Sequence, residues 1–301
     1  ASKIWIWRCS SIDLNKVRVI VRRDDGEEFE IDNQKRWRIP SSGGLDGFDY
    51  VAPSYTTQDN AFGNGARLIG SRIPTKERSV KAIFKGSLDE KREEREKLRR
   101  FFQYSHVFDV IVEYMGEKKY CRGRLYAYSL PTVNIYKDLE LNFTILCTQP
   151  LLLSFDDFAR NIAEIGEGLA FNFEIPETGV NFGTFTFARE IYIDNQGDTE
   201  TYCRAVIEAF GEVTNPKLFN KDKYIRVLDT LHNGDVLEID LVSEPISIKK
   251  NGVNCIGKVD RTSSFNDMTI QLGENIIGYT ADNGDTNLAC TVYYNERYLG
   301  L

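Results

Sequence analysis

Histidine is nearly absent from this chain of 301 residues: His106 and His232 are the two, far apart in sequence. Nucleophilic catalysis needs a base beside a serine or cysteine, and no nucleophile motif accompanies either histidine. The six cysteines, Cys9, Cys121, Cys147, Cys203, Cys255 and Cys290, include no C-x-x-C pair. Zinc sites draw on close-set Cys or His pairs, so their spacing argues against one. The thiols sit in apolar runs such as YCRAVIEAF and NLACTVYY, which suit buried free thiols formed in a reducing compartment. An excess of positive charge is also missing. The net charge is -7, whereas a dedicated nucleic-acid module presents a basic face to phosphates. The apolar runs are a few residues long, well short of the ~20 that span a bilayer. The N-terminus, ASKIWIWRCSSIDLNK, alternates and lacks the apolar core of a signal peptide, so it reads as a first strand. Tryptophan, the best platform for stacking on a sugar ring, occurs at Trp5, Trp7 and Trp37 and nowhere later.

What is present is strand and turn. The composition, 42% apolar and 28% charged, suits a folded protein, and the length favours two domains. Residues 16–31 read as a hairpin around Asp24-Asp25-Gly26. Residues 39–70 are rich in Gly, Ser, Asn and Asp and read as a long loop, with Phe62-Gly63-Asn64-Gly65 a turn. A strand at 80–86 precedes one long helix. Ser87 and Glu90 form its capping box, with Asp89 in the first turn and Arg99 and Arg100 near the end. Glu93 with Lys97 and Glu96 with Arg100 are expected i,i+4 pairs. Leu88, Leu98, Phe101 and Phe102 form its expected apolar face. The charged stretch from Lys91 to Lys97 reads as a solvated face or as a rim offered to a neighbouring subunit.

Strands follow at 107–115, with period two in Phe108, Val110, Val112 and Tyr114, then at 118–130 and 139–147. The character shifts near Pro150, where a boundary between domains 1–150 and 151–301 is placed. Beyond it, strands are expected at 169–175, 189–193, 201–210, 217–219, 224–227, 236–241, 246–250, 253–257, 276–279 and 287–294. Asn251-Gly252 is the strongest hairpin signal, since a type I′ turn needs φ > 0 at both central residues. Short strands with turns at this spacing indicate an antiparallel sandwich.

Candidate chemistry is sparse. Asp156, Asp157, Glu164 and Glu167 are the nearest carboxylate clusters for a glycoside hydrolase pair. Asp282-Asn283-Gly284-Asp285 has the residues of a calcium loop without its full pattern, and equally those of a β-turn. Tyr279, Tyr293, Tyr294 and Tyr298 can serve as sugar platforms or as packing between sheets. No residue is nominated as catalytic, cofactor-binding or metal-binding, no cofactor is implied, and the residues of an oligomer interface are not legible.

Taken in order, several segments carry a resemblance. They are GLDGFDY, VKAIFKG, LDEKREEREKLRRFF and RGRLYAYSL in the first half. In the second they are IDNQGDTETYCRAVIEAFGEVTNPKLFN, NGDVLEID, IKKNGVN, SSFNDMTIQLGENIIGYT and NLACTVYYNERYLGL. Together they resemble the distal tail (Dit) proteins of long, non-contractile-tailed bacteriophages, over essentially the whole chain. The resemblance implies a mainly β fold. An N-terminal belt domain (1–150) has β-sheets, one helix and an extended hairpin, and a C-terminal galectin-like antiparallel β-sandwich (151–301) follows. It implies a structural, non-enzymatic virion protein: a homo-hexameric baseplate hub ring, assembled in the host cytoplasm. Its partners would be the tail-tube protein, the tail-tip protein and receptor-binding or other baseplate proteins, with no membrane and no specific nucleic acid. The chain departs from the family in a longer region at 151–190, where some relatives carry an arm. The alternative reading is a carbohydrate-binding module contacting host cell-wall saccharides.

Overall fold

The computed structural model describes residues 17–132, 137–155, 158–161, 190–243 and 245–301. The chain divides into two compact units. The first runs to Phe155 and takes back Tyr298–Leu301, and the second lies between. The expected boundary lies at Pro150, and the expected second domain, 151–301, includes the last four residues. The expected first strand, with Trp5, Trp7 and Cys9, lies outside the described residues. So do the expected strand at 169–175, the carboxylates Asp156, Asp157, Glu164 and Glu167, and most of the long region at 151–190.

The first unit contains β1 (Arg18–Arg23), β2 (Glu28–Asp32), β3 (Trp37–Arg38), β4 (Leu45–Asp46), β5 (Ser54–Asp59) and β6 (Ala66–Arg72). Then come β7 (Lys76–Phe84), α1 (Leu88–Phe101), β8 (Val107–Tyr114), β9 (Glu117–Ser129), β10 (Leu139–Cys147) and β11 (Leu152–Ser154). Its main antiparallel sheet runs β2-β1-β8-β9-β10-β7-β3, with β4 on β7 and β11 on β9. Alternation sets the register: Val80 faces Phe143, and Val19 and Val21 face Val112 and Val110, all buried. Met115 and Gly116 both take positive φ in the tight β8–β9 turn. A bulge in β9 leaves Tyr126 unpaired against β10, and its side chain is exposed.

Helix α1 lies on this core through its C-terminal end. Phe102 contacts the rings of Phe29, Phe101, Phe108, Tyr128 and Phe143, at centroid separations from 4.7 to 6.0 Å. The capping box is formed as expected: Ser87 N donates to Glu90 Oε2 (2.9 Å) and Glu90 N to Ser87 Oγ (3.4 Å). Two expectations fail here. Leu88 is 55% exposed, because the N-terminal turn stands off the core. The ion pairs run Glu94–Lys97 (2.9 Å) and Arg92–Glu96 (4.0 Å); Glu93 attracts Lys97 only as a nearby charge, and the expected Glu96–Arg100 pair is not among the ion pairs of the described residues. Glu94 is also the acceptor for the Trp37 indole (3.1 Å), which draws it toward the core side.

The second unit contains β12 (Phe158–Asn161), β13 (Glu190–Asn195), β14 (Cys203–Ala209), β15 (Val213–Thr214), β16 (Lys217–Asn220) and β17 (Lys223–Arg226). It continues with β18 (Thr230–Leu231), β19 (Val236–Asp240), β20 (Ser247–Lys250), β21 (Val253–Asn254), β22 (Gly273–Thr280) and β23 (Leu288–Tyr294). Two antiparallel sheets, β12-β23-β14-β19-β20-β21 and β13-β22-β16-β17, share one core. Ala205, Ile207, Leu237, Ile239 and Val292 come from one sheet; Ile193, Leu218, Ile225 and Ile277 come from the other. This is a β-sandwich. Asn251 (φ 50) and Gly252 (φ 79) make the tight turn the sequence signals. Beyond Asn254 the expected strand to Gly257 gives way to a 3₁₀ turn at Ile256–Lys258, and β22 starts at Gly273, earlier than expected.

Candidate functional site on an exposed hairpin

Strands β5 and β6 form a two-stranded hairpin that pairs with no other strand among the described residues. This corrects the reading of residues 39–70 as a loop. The turn at 62–65 was legible; its flanking strands were not. In SYTTQD and ARLIGSR every residue is exposed, so neither strand carries the alternation that a half-buried strand writes into sequence. The tip is closed by Asn60 N donating to Gly65 O (3.1 Å), with Gly65 at φ 92.

The register places Tyr55 opposite Ser71 and Thr57 opposite Leu68, and a bulge makes Ile69 the extra residue. Tyr55 is 61% exposed, Leu68 56%, Ile69 61%, and Phe62 at the tip is fully exposed. An isolated two-stranded hairpin is marginally stable in water. Uncovered apolar side chains on such an arm mark a contact surface. Its base, by contrast, is tied down. Val51 N donates to Leu299 O (2.9 Å), Leu301 N to Phe48 O (2.9 Å), and Lys76 Nζ to Tyr50 O (3.1 Å). A Cβ on Gly300 would lie 1.6 Å from Asp49 O, so only glycine lets the C-terminal tail run this close to the hairpin's root.

The charged face of α1 is partly engaged within its own unit. Arg95 donates to Leu130 O (3.2 Å) and Pro131 O (2.8 Å), Lys91 to Lys137 O (3.0 Å), and Arg36 pairs with Glu90. Arg92, Glu93, Glu96 and Lys97 remain exposed.

The groups considered for chemistry have structural roles where they are described. His106 Nδ1 lies 2.6 Å from Asp24 Oδ1, and this hydrogen bond lowers the Asp24 carboxyl. His232 is exposed, its backbone N–H donating to Asp235 Oδ2 (2.8 Å). Asp282 accepts from Asn215 Nδ2 (2.8 Å) and pairs with Arg226, while Gly284 takes φ 75 at the start of a 3₁₀ turn. Among the described residues no cluster of three or more His, Cys, Asp or Glu side chains could hold a metal ion. No described helix is long and apolar enough to cross a membrane.

Tyr279 and Tyr294 are buried, the Tyr279 hydroxyl donating to Leu288 O (2.8 Å). Tyr293 sits under Arg204 (4.8 Å) and Tyr298 under Lys119 (4.2 Å). They pack; they do not form a shared platform. Cys121, Cys147, Cys203, Cys255 and Cys290 are buried free thiols, and burial pushes Cys203 up to about 12.

Residues 196–298 match the family model described as siphovirus-type tail component, C-terminal domain. No curated protein matches the chain. Among solved structures, the SPP1 Dit (gp 19.1) protein aligns with a TM-score of 0.63 at 12% identity, over 93% of this chain and 99% of that one. It is described as a paradigm of the hub adsorption apparatus in phages that infect Gram-positive bacteria. A chain of the phage P2 baseplate, in its activated conformation with Ca, aligns with a TM-score of 0.48 at 12% identity, over 95% and 99%. The resemblance to distal tail proteins read from the sequence is thereby borne out, in the family match of the second unit and in the fold.

Proposed function

We propose that this chain, a distal-tail-type protein with a siphovirus tail-component domain at residues 196–298, closes into a homo-hexameric hub ring at the distal end of a phage tail. The ring joins the tail tube to the tail-tip protein and serves as the base for receptor-binding or other baseplate components. Its work is assembly, without turnover of a substrate. The observation that carries this reading is the hairpin β5–β6, exposed along both strands and apolar at Tyr55, Phe62, Leu68 and Ile69. A second copy of the chain is the occupant that completes it. One patch meeting a different patch is a heterologous contact, which closes a ring when the rotation per subunit is right. The tied base gives the arm a fixed root, which limits the ordering entropy that assembly must overcome. Assembly in the reducing host cytoplasm agrees with the buried free thiols.

Native mass spectrometry of the purified chain tests this. The wild type is expected as a six-subunit species at micromolar concentration. The double variant Leu68→Asp, Ile69→Asp is expected as a monomer with an unchanged circular dichroism spectrum, since both side chains are exposed in the single chain. A wild type that stays monomeric, or a variant that assembles equally well, would overturn the reading.

A further inference from the structure

The core of the first unit holds a cation that no carboxylate neutralises among the described residues: Arg78, on β7. We propose that Cys147 is carried in the folded chain as a thiolate, the counter-ion of Arg78, with the Cys121 thiol donating to it. The site lies wholly inside the first unit, so it goes beyond the hub ring and does not depend on it.

Arg78 is 0% exposed. A guanidinium keeps its proton at any ordinary pH, and a buried charge without a counter-charge is costly. Arg78 Nη2 donates to Pro150 O (2.5 Å), and the guanidinium stands over the Phe48 ring (5.7 Å). Its Nε and Nη1 are buried with no hydrogen-bond partner. A carbonyl dipole and a ring face soften a positive charge without cancelling it. An acidic side chain is needed within the core itself.

The strand registers deliver one. Arg78 faces Ile145 across the β7–β10 pair and Lys76 faces Cys147, so Cys147 is the next side chain along the buried face from Arg78's partner. On the other side of β10, Gly123 of β9 presses on the same backbone. A Cβ there would lie 2.6 Å from Leu146 O and 3.3 Å from Cys147 N. With no side chain at Gly123, the next residue on the buried face of β9, Cys121, reaches Cys147. Both cysteines are buried in one core with Phe48.

The electrostatics agree with this placement. A hydrogen bond from Cys121 is the largest influence lowering Cys147, and the charge of Arg78 adds to it against the effect of burial. Cys121 moves the other way, raised first by burial and then by Cys147. Two sulfurs sharing one proton behave so: Cys121 keeps the hydrogen and Cys147 carries the charge. The other charged groups on these strands are engaged elsewhere. Lys76 Nζ donates to Tyr50 O (3.1 Å), and both oxygens of Asp109, on β8, accept from Arg122 (2.7 and 2.8 Å). In the second unit burial pushes Cys203 and Cys290 up, and no cation is among the causes acting on either.

The sign of the consequence follows. The folded Cys147 value lies below its ordinary 9.0. Its stabilisation is therefore whole above that ordinary value and is lost as the pH falls through the lower, folded one. Cys121, raised, stays a thiol throughout this window and contributes nothing to the slope.

Ultraviolet thiolate absorbance of the folded full chain, taken as wild type minus Cys147→Ser from about pH 6 to 8, tests the proposal. A thiolate band is expected to rise within that window. In urea the same difference is expected to stay nearly flat until the pH approaches the ordinary value. Arg78→Met removes the guanidinium and is expected to move the folded transition up by about one pH unit or more. The unfolding constant of the first unit, wild type relative to Cys147→Ser, is expected to fall by roughly 3- to 10-fold across the window. Triple-resonance NMR of the wild type with 13C-labelled cysteine reads ionisation at the Cys147 Cβ directly, so the test stands even where a variant does not fold. A folded wild type whose Cys147 titrates at or above the ordinary thiol value overturns the proposal. So does a folded Arg78→Met protein whose Cys147 titrates where the wild type's does, or a ratio of unfolding constants that stays flat. Oligomeric state plays no part in these readouts, so failure of the thiolate site and failure of the ring are distinguishable.

Discussion

Glu90 does three jobs at the start of α1: it accepts from the Ser87 amide, accepts from the Ser87 hydroxyl and pairs with Arg36. The Ser87 backbone hydrogen bond is the largest cause, followed by the Arg36 side chain, and together they hold the carboxyl down from 4.5 to about 2. A folded pKa below the ordinary value means that this stabilisation is whole above pH 4.5 and disappears as the pH falls toward about 2. In Glu90→Gln that pH-dependent part is absent. The difference in melting temperature between wild type and Glu90→Gln, measured at stepwise pH, is therefore expected to shrink across that window. Ser87→Ala removes the cap acceptor itself and is expected to cost about 1 kcal/mol in urea titrations at neutral pH. The capping box was legible in the sequence because it depends on residues three apart on one turn. The exposure of Leu88 and the pull of Trp37 on Glu94 were not legible, since both follow from where the helix lands on the sheet.

At the scale of elements, legibility followed burial. Strands with one face in the core, such as β10, β14 and β23, alternate cleanly and were read within a residue or two. The turn at Asn251-Gly252 was read from chemistry alone, since few residue pairs accept two successive positive φ values. Hairpin β5–β6 escaped because its strands bury nothing in the single chain. A strand whose partner surface lies outside the chain leaves no period-two signature. The candidate site was thus the least legible part of the molecule, although Tyr55, Phe62, Leu68 and Ile69 were in plain view. The element that braces the first unit is the end of α1. Phe102 packs against five aromatic rings, and Phe102→Ala is expected to destabilise that unit by about 3–5 kcal/mol in denaturant titrations. The second unit has its own core, so its transition is expected to shift little.

At the scale of the whole molecule, two units and an antiparallel sandwich could be expected from chain length, turn spacing and short strands. The return of Tyr298–Leu301 to the first unit could not, because a terminal YLGL carries no local sign of a distant partner. Leu299 and Leu301 hydrogen-bond with Val51 and Phe48, immediately before the β5–β6 hairpin. The central claim is the ring. Negative-stain electron microscopy of the purified wild-type chain tests it most directly. The account predicts discrete particles with six-fold symmetry around a central hole. Small particles of single-chain size at micromolar concentration, without rings, would contradict it.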